Sequence, residues 1–390
     1  MQTRNQEPGN PVLKTLPHAP VALSLAAAMA ATACGASKAP AGKRGGTGEV
    51  DKELAPLGVP YLAAGGAHVC GVTSKGALYC WGKHAKQAPK ARFRAVAAGF
   101  EHTCGTRTEP GRAGQVQCWG AEGKSWATAP PGVYVQLAAG RRHTCGLRKS
   151  GRIRCWGSND RRQSEPPAGK FKSLSAGKNH NCAIDMEDTI QCWGADKKGQ
   201  VSGSPHGKYV RVASGGDTSC AIARTGAVDC WGASDEAQTG APEERFRQVT
   251  LGLAHGCGIT AEYKARCWGA NDEGQAAAPK GEYLQLSAGW SHTCGIERRS
   301  GEVRCWGNDF WGETTPHAKF AKVEVPKPKA SVKLPKLKRT KTAAAGDSES
   351  SAAVQASLAV VDEAFGGKGR ASKPAKKRKH KGKRKRTSKR

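Results

Sequence analysis

An all-β chain closed into a seven-bladed β-propeller is the fold this sequence predicts, and three observations predict it. The triplet Cys-Trp-Gly occurs seven times, with its indole at Trp81, Trp119, Trp156, Trp193, Trp231, Trp268 and Trp306. A glycine recurs ahead of each triplet, at Gly65, Gly99, Gly140, Gly177, Gly215, Gly252 and Gly289. Fourteen of the 15 cysteines fall into seven local couples, whose first members stand 34, 41, 37, 38, 37 and 37 residues apart. A unit of this size cannot bury both faces of a sheet alone, so neighbours must cover them. Seven units stacked about an axis meet that need.

Each unit has the form aromatic-x-x-hydrophobic-x-Ala-Gly-x-x-His-x-Cys, a short turn, then x-Cys-Trp-Gly. The opening segments 93–97, 134–138 and 283–287 place aromatic and aliphatic residues at strand spacing. A second strand follows, as in His143-Thr-Cys-Gly-Leu, then a turn and a third, as in Arg152-Ile-Arg-Cys-Trp. The turn carries Gly76, Gly151 or Gly226, suited to the left-handed conformation of a tight hairpin. Asp188 tolerates that conformation and Tyr263 fits it less well. Segment 320–325, Phe-Ala-Lys-Val-Glu-Val, repeats the opening strand an eighth time. It is expected to join the first blade, whose own opening segment at 59–64 is the weakest copy, and so to latch the ring.

The couples are Cys70/Cys80, Cys104/Cys118, Cys145/Cys155, Cys182/Cys192, Cys220/Cys230, Cys257/Cys267 and Cys294/Cys305. An even set at local, repeated spacing reads as disulfides in an oxidising compartment. Zinc is the competing reading, but its short Cys-x2-4-Cys knuckles are absent. On adjacent strands, facing residues come within disulfide reach. Cys and Trp are consecutive, so they point to opposite faces of their strand, and each indole is expected to fill the gap between blades.

No apolar run reaches ~18 residues, which excludes a spanning helix by hydropathy. The run 21–33 is long enough for a signal-peptide core, preceded by Arg4 and Lys14 and ending in Ala31-Thr32-Ala33. The odd cysteine, Cys34, comes next. Segment 1–34 resembles a bacterial lipoprotein signal, which implies acylation of Cys34 and membrane attachment through lipid only. It departs from that pattern in Ala31, where leucine is usual, and in a long leading region with Glu7. Ordinary secretion leaving a free thiol, or an Ala-rich buried helix, are the alternatives. Residues 35–58 form a flexible linker on this reading, and 59–325 the propeller.

The units resemble the regulator-of-chromosome-condensation repeat, in the cysteine-rich form of bacterial envelope proteins. The resemblance spans 59–325 and rests on Ala-Gly-x-x-His-Thr (139–144, 288–293) and Trp-Gly-x-Asn (156–159, 268–271). Gln163, Gln200, Gln238 and Gln275 follow their Trp at seven residues, as the family's Gly-Gln turn does. Blade length is closer to that of the secreted β-lactamase-inhibitor propeller than to that of the eukaryotic nuclear exchange factor. The paired cysteines depart from both, so the resemblance carries the fold and neither activity.

Six units hold a histidine two residues before the first Cys: His68, His102, His143, His180, His255 and His292, with Thr218 in the remaining one. One equivalent His per blade is a ring of separated sites, so a hydrogen bond to a neighbouring backbone is expected, with no metal and no cofactor. Asp160, Asp196, Asp235, Asp272 and Asp309 follow their triplets where turns fall. No phosphate-cradling loop, nucleophile elbow or His-Glu-x-x-His is present, and no catalytic residue is assigned. Binding is the expected use. Two variable residues lie between the fixed Gly and His of each unit, as in Phe100-Glu101, Arg141-Arg142, Lys178-Asn179, Gly216-Asp217, Leu253-Ala254 and Trp290-Ser291. Variable loops on a constant frame carry function. Phe100, Arg141, Arg142, Lys178 and Trp290 are the candidate binding residues, because Trp and Arg dominate binding energies. Solvated loop tips are the competing reading. Trp126, Phe310 and Trp311 form a second set.

Charge is uneven: 62 Lys and Arg face 32 Asp and Glu, and 23 of the basic but only 5 of the acidic residues lie in 318–390. Residues 326–390 form a Lys/Pro-rich, then Lys/Arg-rich tail, expected to be disordered with a possible short helix at 350–365. Such a tail binds an anionic polymer, or simply solubilises. The sequence therefore points to an exported, lipid-anchored, monomeric scaffold that binds a protein or polysaccharide. A guanine-nucleotide exchange or chromatin regulator, and an inhibitor of a secreted enzyme, are the alternative functions.

Overall fold

The structure, a computed structural model, describes residues 60–120, 126 and 128–325. The expected leader, linker and tail, with Cys34, lie outside them. The described chain forms seven three-stranded antiparallel sheets, one per repeat, each in simple inner–middle–outer order. Blade 1 is β1 (Tyr61–Ala64), β2 (His68–Val72) and β3 (Leu78–Gly82). Blades 2 to 7 occupy 93–119, 134–157, 171–194, 209–232, 246–269 and 283–307.

All seven expected disulfides are formed, each between directly opposed residues of the middle and outer strands. Cys70 joins Cys80, Cys104 joins Cys118, Cys145 joins Cys155 and Cys182 joins Cys192. Cys220 joins Cys230, Cys257 joins Cys267 and Cys294 joins Cys305. Their Cα atoms are 4.0–4.1 Å apart. This close pairing follows from the nine residues between most couples, which return the chain antiparallel to the same height. The two ends of each bond differ in burial. The middle-strand cysteine is fully buried in every blade. On the outer strand Cys80 is buried, but Cys118, Cys155, Cys192, Cys230, Cys267 and Cys305 are only partly so. The physical reason is that an outer strand has a neighbour on one side only, so each bond runs from the core to the rim of its blade.

The hairpin turns take the left-handed conformation at Gly76, Gly151, Gly226, Asp188 and also Tyr263, whose φ is 66°. A tyrosine there costs roughly 1–2 kcal/mol. Arg247 and Arg298, each 3.8 Å from the ring centroid, pack against the phenol and hold it.

The core is divided into one cluster per junction between blades. The middle-strand cysteine of one blade packs against the tryptophan and opening aromatic of the next: Cys182 with Tyr209 and Trp231, Cys220 with Phe246 and Trp268, Cys257 with Tyr283 and Trp306. All seven indoles are buried. Trp193, Trp231, Trp268 and Trp306 each donate Nε1–H to the backbone carbonyl of the preceding blade's Gln163, Gln200, Gln238 or Gln275 at 2.8–3.1 Å. That glutamine turn thus caps the next blade.

The ring closes through the same contacts. Trp81 donates to the carbonyl of Glu313, which stands seven residues after Trp306 as the glutamines do after theirs. Gln285 clasps the amide and carbonyl of Leu62 at 2.9 and 3.0 Å, as Gln248 clasps those of Leu286 within the ring. Segment 320–325 makes the latch, though not as a strand of blade 1. Lys322 bridges to Glu302 in blade 7, and Val323 donates to the carbonyl of Gly301. The fully buried Phe320 ring then fills the slot over Gly71 that Phe93 fills over Gly105 and Tyr134 over Gly146. Phe320→Ala is expected to cost about 3–5 kcal/mol, read as a fall in the urea midpoint. An unmoved midpoint would show that the ring does not depend on this latch.

Candidate functional site

The inner strands run down to the turn Gly-x-x-His, with Thr218 in place of the histidine in blade 5, and the seven turns surround the end of a central channel of about 240 Å³. The glycines meet there in a closed circuit. A Cβ built on Gly65 would lie 2.5 Å from the carbonyl oxygen of Gly99, one on Gly99 2.4 Å from that of Gly140, and so on to Gly289, 2.6 Å from that of Gly65. Only glycine permits this approach. The residue after each glycine, at Gly66, Phe100, Arg141, Lys178, Gly216, Leu253 and Trp290, donates its amide to the next blade's turn at 2.8–3.3 Å. Seven blades are thereby tied head to tail by seven backbone hydrogen bonds.

The repeated histidines stand directly behind these glycines, within 2.2–2.7 Å of the positions where a Cβ would fall at Gly65, Gly99, Gly140, Gly177, Gly252 and Gly289. Their partners correct the sequence-based expectation of a backbone contact. His68, His102, His143, His180 and His255 bond through Nε2 to side chains of the next blade, namely Thr103, Thr144, Asn181, Ser219 and Thr293, at 2.7–2.9 Å. Thr218 alone turns to a backbone carbonyl, that of Ala233. At the closing junction Val69 holds the acceptor position, and Nε2 of His292 has no partner among the described residues.

Burial drives the histidines neutral, with repulsion from neighbouring histidines adding to it in several blades. His68, His143 and His255 are lowered to about 4, and His102, His180 and His292 to about 3. These values lie below the ordinary ~6.5 of an unfolded histidine, so the unfolded chain takes up protons first as pH falls. Stability should hold above pH ~6.5 and then drop by about 1.4 kcal/mol per pH unit for each histidine until the folded groups titrate. Denaturant midpoints measured from pH 7.5 to 4.5 check this. A flat profile down to pH 4.5 would contradict the neutral belt.

Four of the five candidate binding residues converge on the channel mouth: Phe100, Arg141, Lys178 and Trp290 all line it. Phe100 of blade 2 and Trp290 of blade 7 reach across blade 1 and stack, with centroids 3.9 Å apart and planes at 19°. Gly66 makes the stack possible, because a Cβ there would lie 2.4 Å from the Phe100 ring. The Arg141 guanidinium lies 5.6 Å from the Phe100 centroid, and Lys178 Nζ lies 3.9 Å from an Asp217 carboxylate oxygen. Arg142 does not join this group; it is exposed and lies 5.8 Å from the Trp126 ring. The sequence singled out Phe100 and Trp290 separately but not as a pair. The small residue at position 66, between two aromatic positions on a closed ring, was the available signal.

The loops after Cys-Trp-Gly share this end of the molecule. Backbone bonds from Lys83 to Ala67, Ser158 to Arg142, Ala195 to Asn179, Ala233 to Asp217, Ala270 to Ala254 and Asn308 to Ser291 fasten the loops of blades 1 and 3 to 7 to the turn that follows the inner strand of the same blade. Phe310 and Trp311 sit on the blade 7 loop, 78% and 50% exposed, in a T-shaped pair with centroids 5.0 Å apart. Lys83 of blade 1 lies 5.0 Å from the Trp311 ring. Among the described residues no three His, Cys, Asp or Glu side chains group as metal ligands would, and no helix is long and apolar enough to cross a membrane.

Comparison with known proteins agrees with this architecture. The family model described as the regulator of chromosome condensation (RCC1) repeat matches residues 61–86, 134–163, 209–238 and 284–310, in blades 1, 3, 5 and 7. The chain carries RCC1-type repeats, with a disulfide added to each. No curated protein matches it. Among solved structures, the CRINKLY WD40 ectodomain of the Arabidopsis thaliana receptor kinase ACR4 is 28% identical over 68% of this chain and 97% of its own, with a TM-score of 0.56. The entire ectodomain of the Physcomitrella patens receptor kinase CR4 is 25% identical over 64% and 73%, with a TM-score of 0.56. Prp20p of Saccharomyces cerevisiae, at 17% identity over 59% and 80% and a TM-score of 0.50, shows the fold alone. A methyl group added to the glycine circuit is the most local test of that fold. Gly140→Ala should destabilise by about 1–3 kcal/mol or more through overpacking, measured by denaturant unfolding; an unchanged stability would mean that the junction has slack.

Proposed function

We propose that the chain is an exported binding scaffold that recognises a protein or a polysaccharide through the face bearing the Gly-x-x-His turns. The observation that carries this reading is the stacked Phe100–Trp290 pair at the channel mouth, with Arg141 and Lys178 beside it. The remaining positions of the ring fix the backbone, so these side chains are free to differ from blade to blade. Aromatic residues flanked by cations are the groups that concentrate binding energy. Seven disulfides support an oxidising environment, outside the cell or in its envelope. Attachment through an acylated Cys34 and contact of the 326–390 tail with an anionic surface complete the proposal. The ectodomain likeness at 28% identity supports an extracellular recognition role over a nuclear one.

Affinity capture with the full chain, from extracts of the cells that make it and on a glycan array, tests the binding face. Phe100→Ala/Trp290→Ala should lose captured partner by about tenfold or more, while its thermal midpoint stays close to that of the unaltered chain. Equal capture by the variant would move the binding site elsewhere. Intact-mass measurement of the native protein tests the anchor: the expected result is a chain beginning at Cys34 with added acyl mass, and an unmodified Cys34 contradicts it.

A further inference from the structure

The loops on the binding face are sorted by charge around the ring. Blades 3 and 4 present the exposed Arg142, Arg161, Arg162, Lys197 and Lys198, among fewer carboxylates. Blades 5 and 6 present the exposed Asp235, Glu236, Asp272 and Glu273, with no basic residue in 233–242 or 270–279. Where the two arcs meet they already pair, Lys198 with Asp235 at 3.1 Å and Lys178 with Asp217 at 3.9 Å. The blade 7–1–2 flank carries the aromatic groups, Trp290, Phe310, Trp311 and Phe100. A uniformly anionic polymer would meet repulsion over one arc of this face, and a uniformly cationic one over the other.

A sevenfold ring has a property that makes this arrangement self-complementary. Two copies placed face to face about a two-fold axis through blade 1 and the gap between blades 4 and 5 bring blade 3 over blade 6, blade 4 over blade 5 and blade 2 over blade 7. Arg161 and Glu273 occupy the same loop position, five residues after Trp156 and Trp268, and Lys198 and Glu236 do so after Trp193 and Trp231. The axis therefore sets basic arc against acidic arc twice, and the aromatic flank of blade 2 against that of blade 7. We infer that this face takes a second copy of the chain, in an isologous dimer with the two channel mouths facing each other. The charge arcs set register and suppress wrong pairings, since exposed ion pairs contribute little each. Affinity comes from covering the exposed Phe310 and Trp311 with the Phe100 and Trp290 flank. The hairpin ends of the blades, with exposed Lys75, Arg92, Arg112, Arg152 and Lys170, then point outward and apart.

This inference rests on reading that face as the binding face and names one partner for it. Sedimentation velocity of the full chain across a dilution series, at an ionic strength of about 0.15 M, is the test. The unaltered chain should pass from monomer to dimer mass with concentration. Arg161→Glu/Arg162→Glu and Asp272→Lys/Glu273→Lys should each remain monomeric, since each sets like charges against each other at two contacts. An equimolar mixture of the two variants should dimerise again, because their reversed arcs complement each other; this rescue also shows that both fold. A chain that stays monomeric throughout overturns the dimer and leaves the capture experiment on Phe100 and Trp290 to judge the binding face by itself. Association that survives either reversal overturns it. So does loss on reversing the acidic arc alone, which would assign the contact to the basic tail.

Discussion

Close approach of backbone to backbone at seven glycines is the constraint on which the rest of this structure depends. Each inner strand ends in a turn whose carbonyl leaves no space for a Cβ on the preceding blade. Histidines stand behind six of these glycines, neutral because they are buried, and five of them tighten the same junction by reaching a hydroxyl or amide one blade on. Outer strands are held by a disulfide within the blade and by an indole whose N–H finds the neighbouring glutamine turn. The fold is thus specified twice, by polar backbone contacts at the hub and by sulfur–aromatic packing between blades.

This division explains why the fold was legible in the sequence. A residue that must be glycine, tryptophan or cysteine at every blade prints its identity seven times, and the spacing of those identities gives blade number, strand order and disulfide pairing. Where one blade differs, the physics is harder to read from the chain. Tyr263 adopts a left-handed turn because two arginines from neighbouring segments grip it, a compensation invisible in its own repeat. Phe320 serves blade 1 by side chain while its backbone neighbours bind blade 7, so its strand-like pattern correctly located the latch but not its form. Glu313 does the work of a glutamine twice over. Its backbone carbonyl accepts from Trp81, and its carboxylate accepts from the amide of Trp311 as the glutamine side chains accept from the amide two residues before them, which is why glutamate is tolerated there.

The candidate site was legible in a weaker sense. Its residues stood out as variable positions at fixed places, and four of the five come together at one mouth. What the repeats taken one by one could not convey is relation around the ring. Phe100 and Trp290 are 190 positions apart and belong to blades separated by a third, yet their rings stack because Gly66 leaves the space open. The charge arcs are of the same kind: each loop looks like an ordinary polar turn, and only the order of blades turns them into two opposed arcs. Function on a closed repeat is written in this circular order and not in any single unit.

Amide hydrogen exchange at the hub tests the account most directly. Gly66, Phe100, Arg141, Lys178, Gly216, Leu253 and Trp290 sit in turns at the rim of a channel, where amides ordinarily exchange fast. Because each donates to the next blade, all seven should be protected to about the level of the middle strands, and should lose protection together when Phe320 is truncated. Exchange at the rate of the surface loops, in the intact chain, would contradict a ring closed through its glycines.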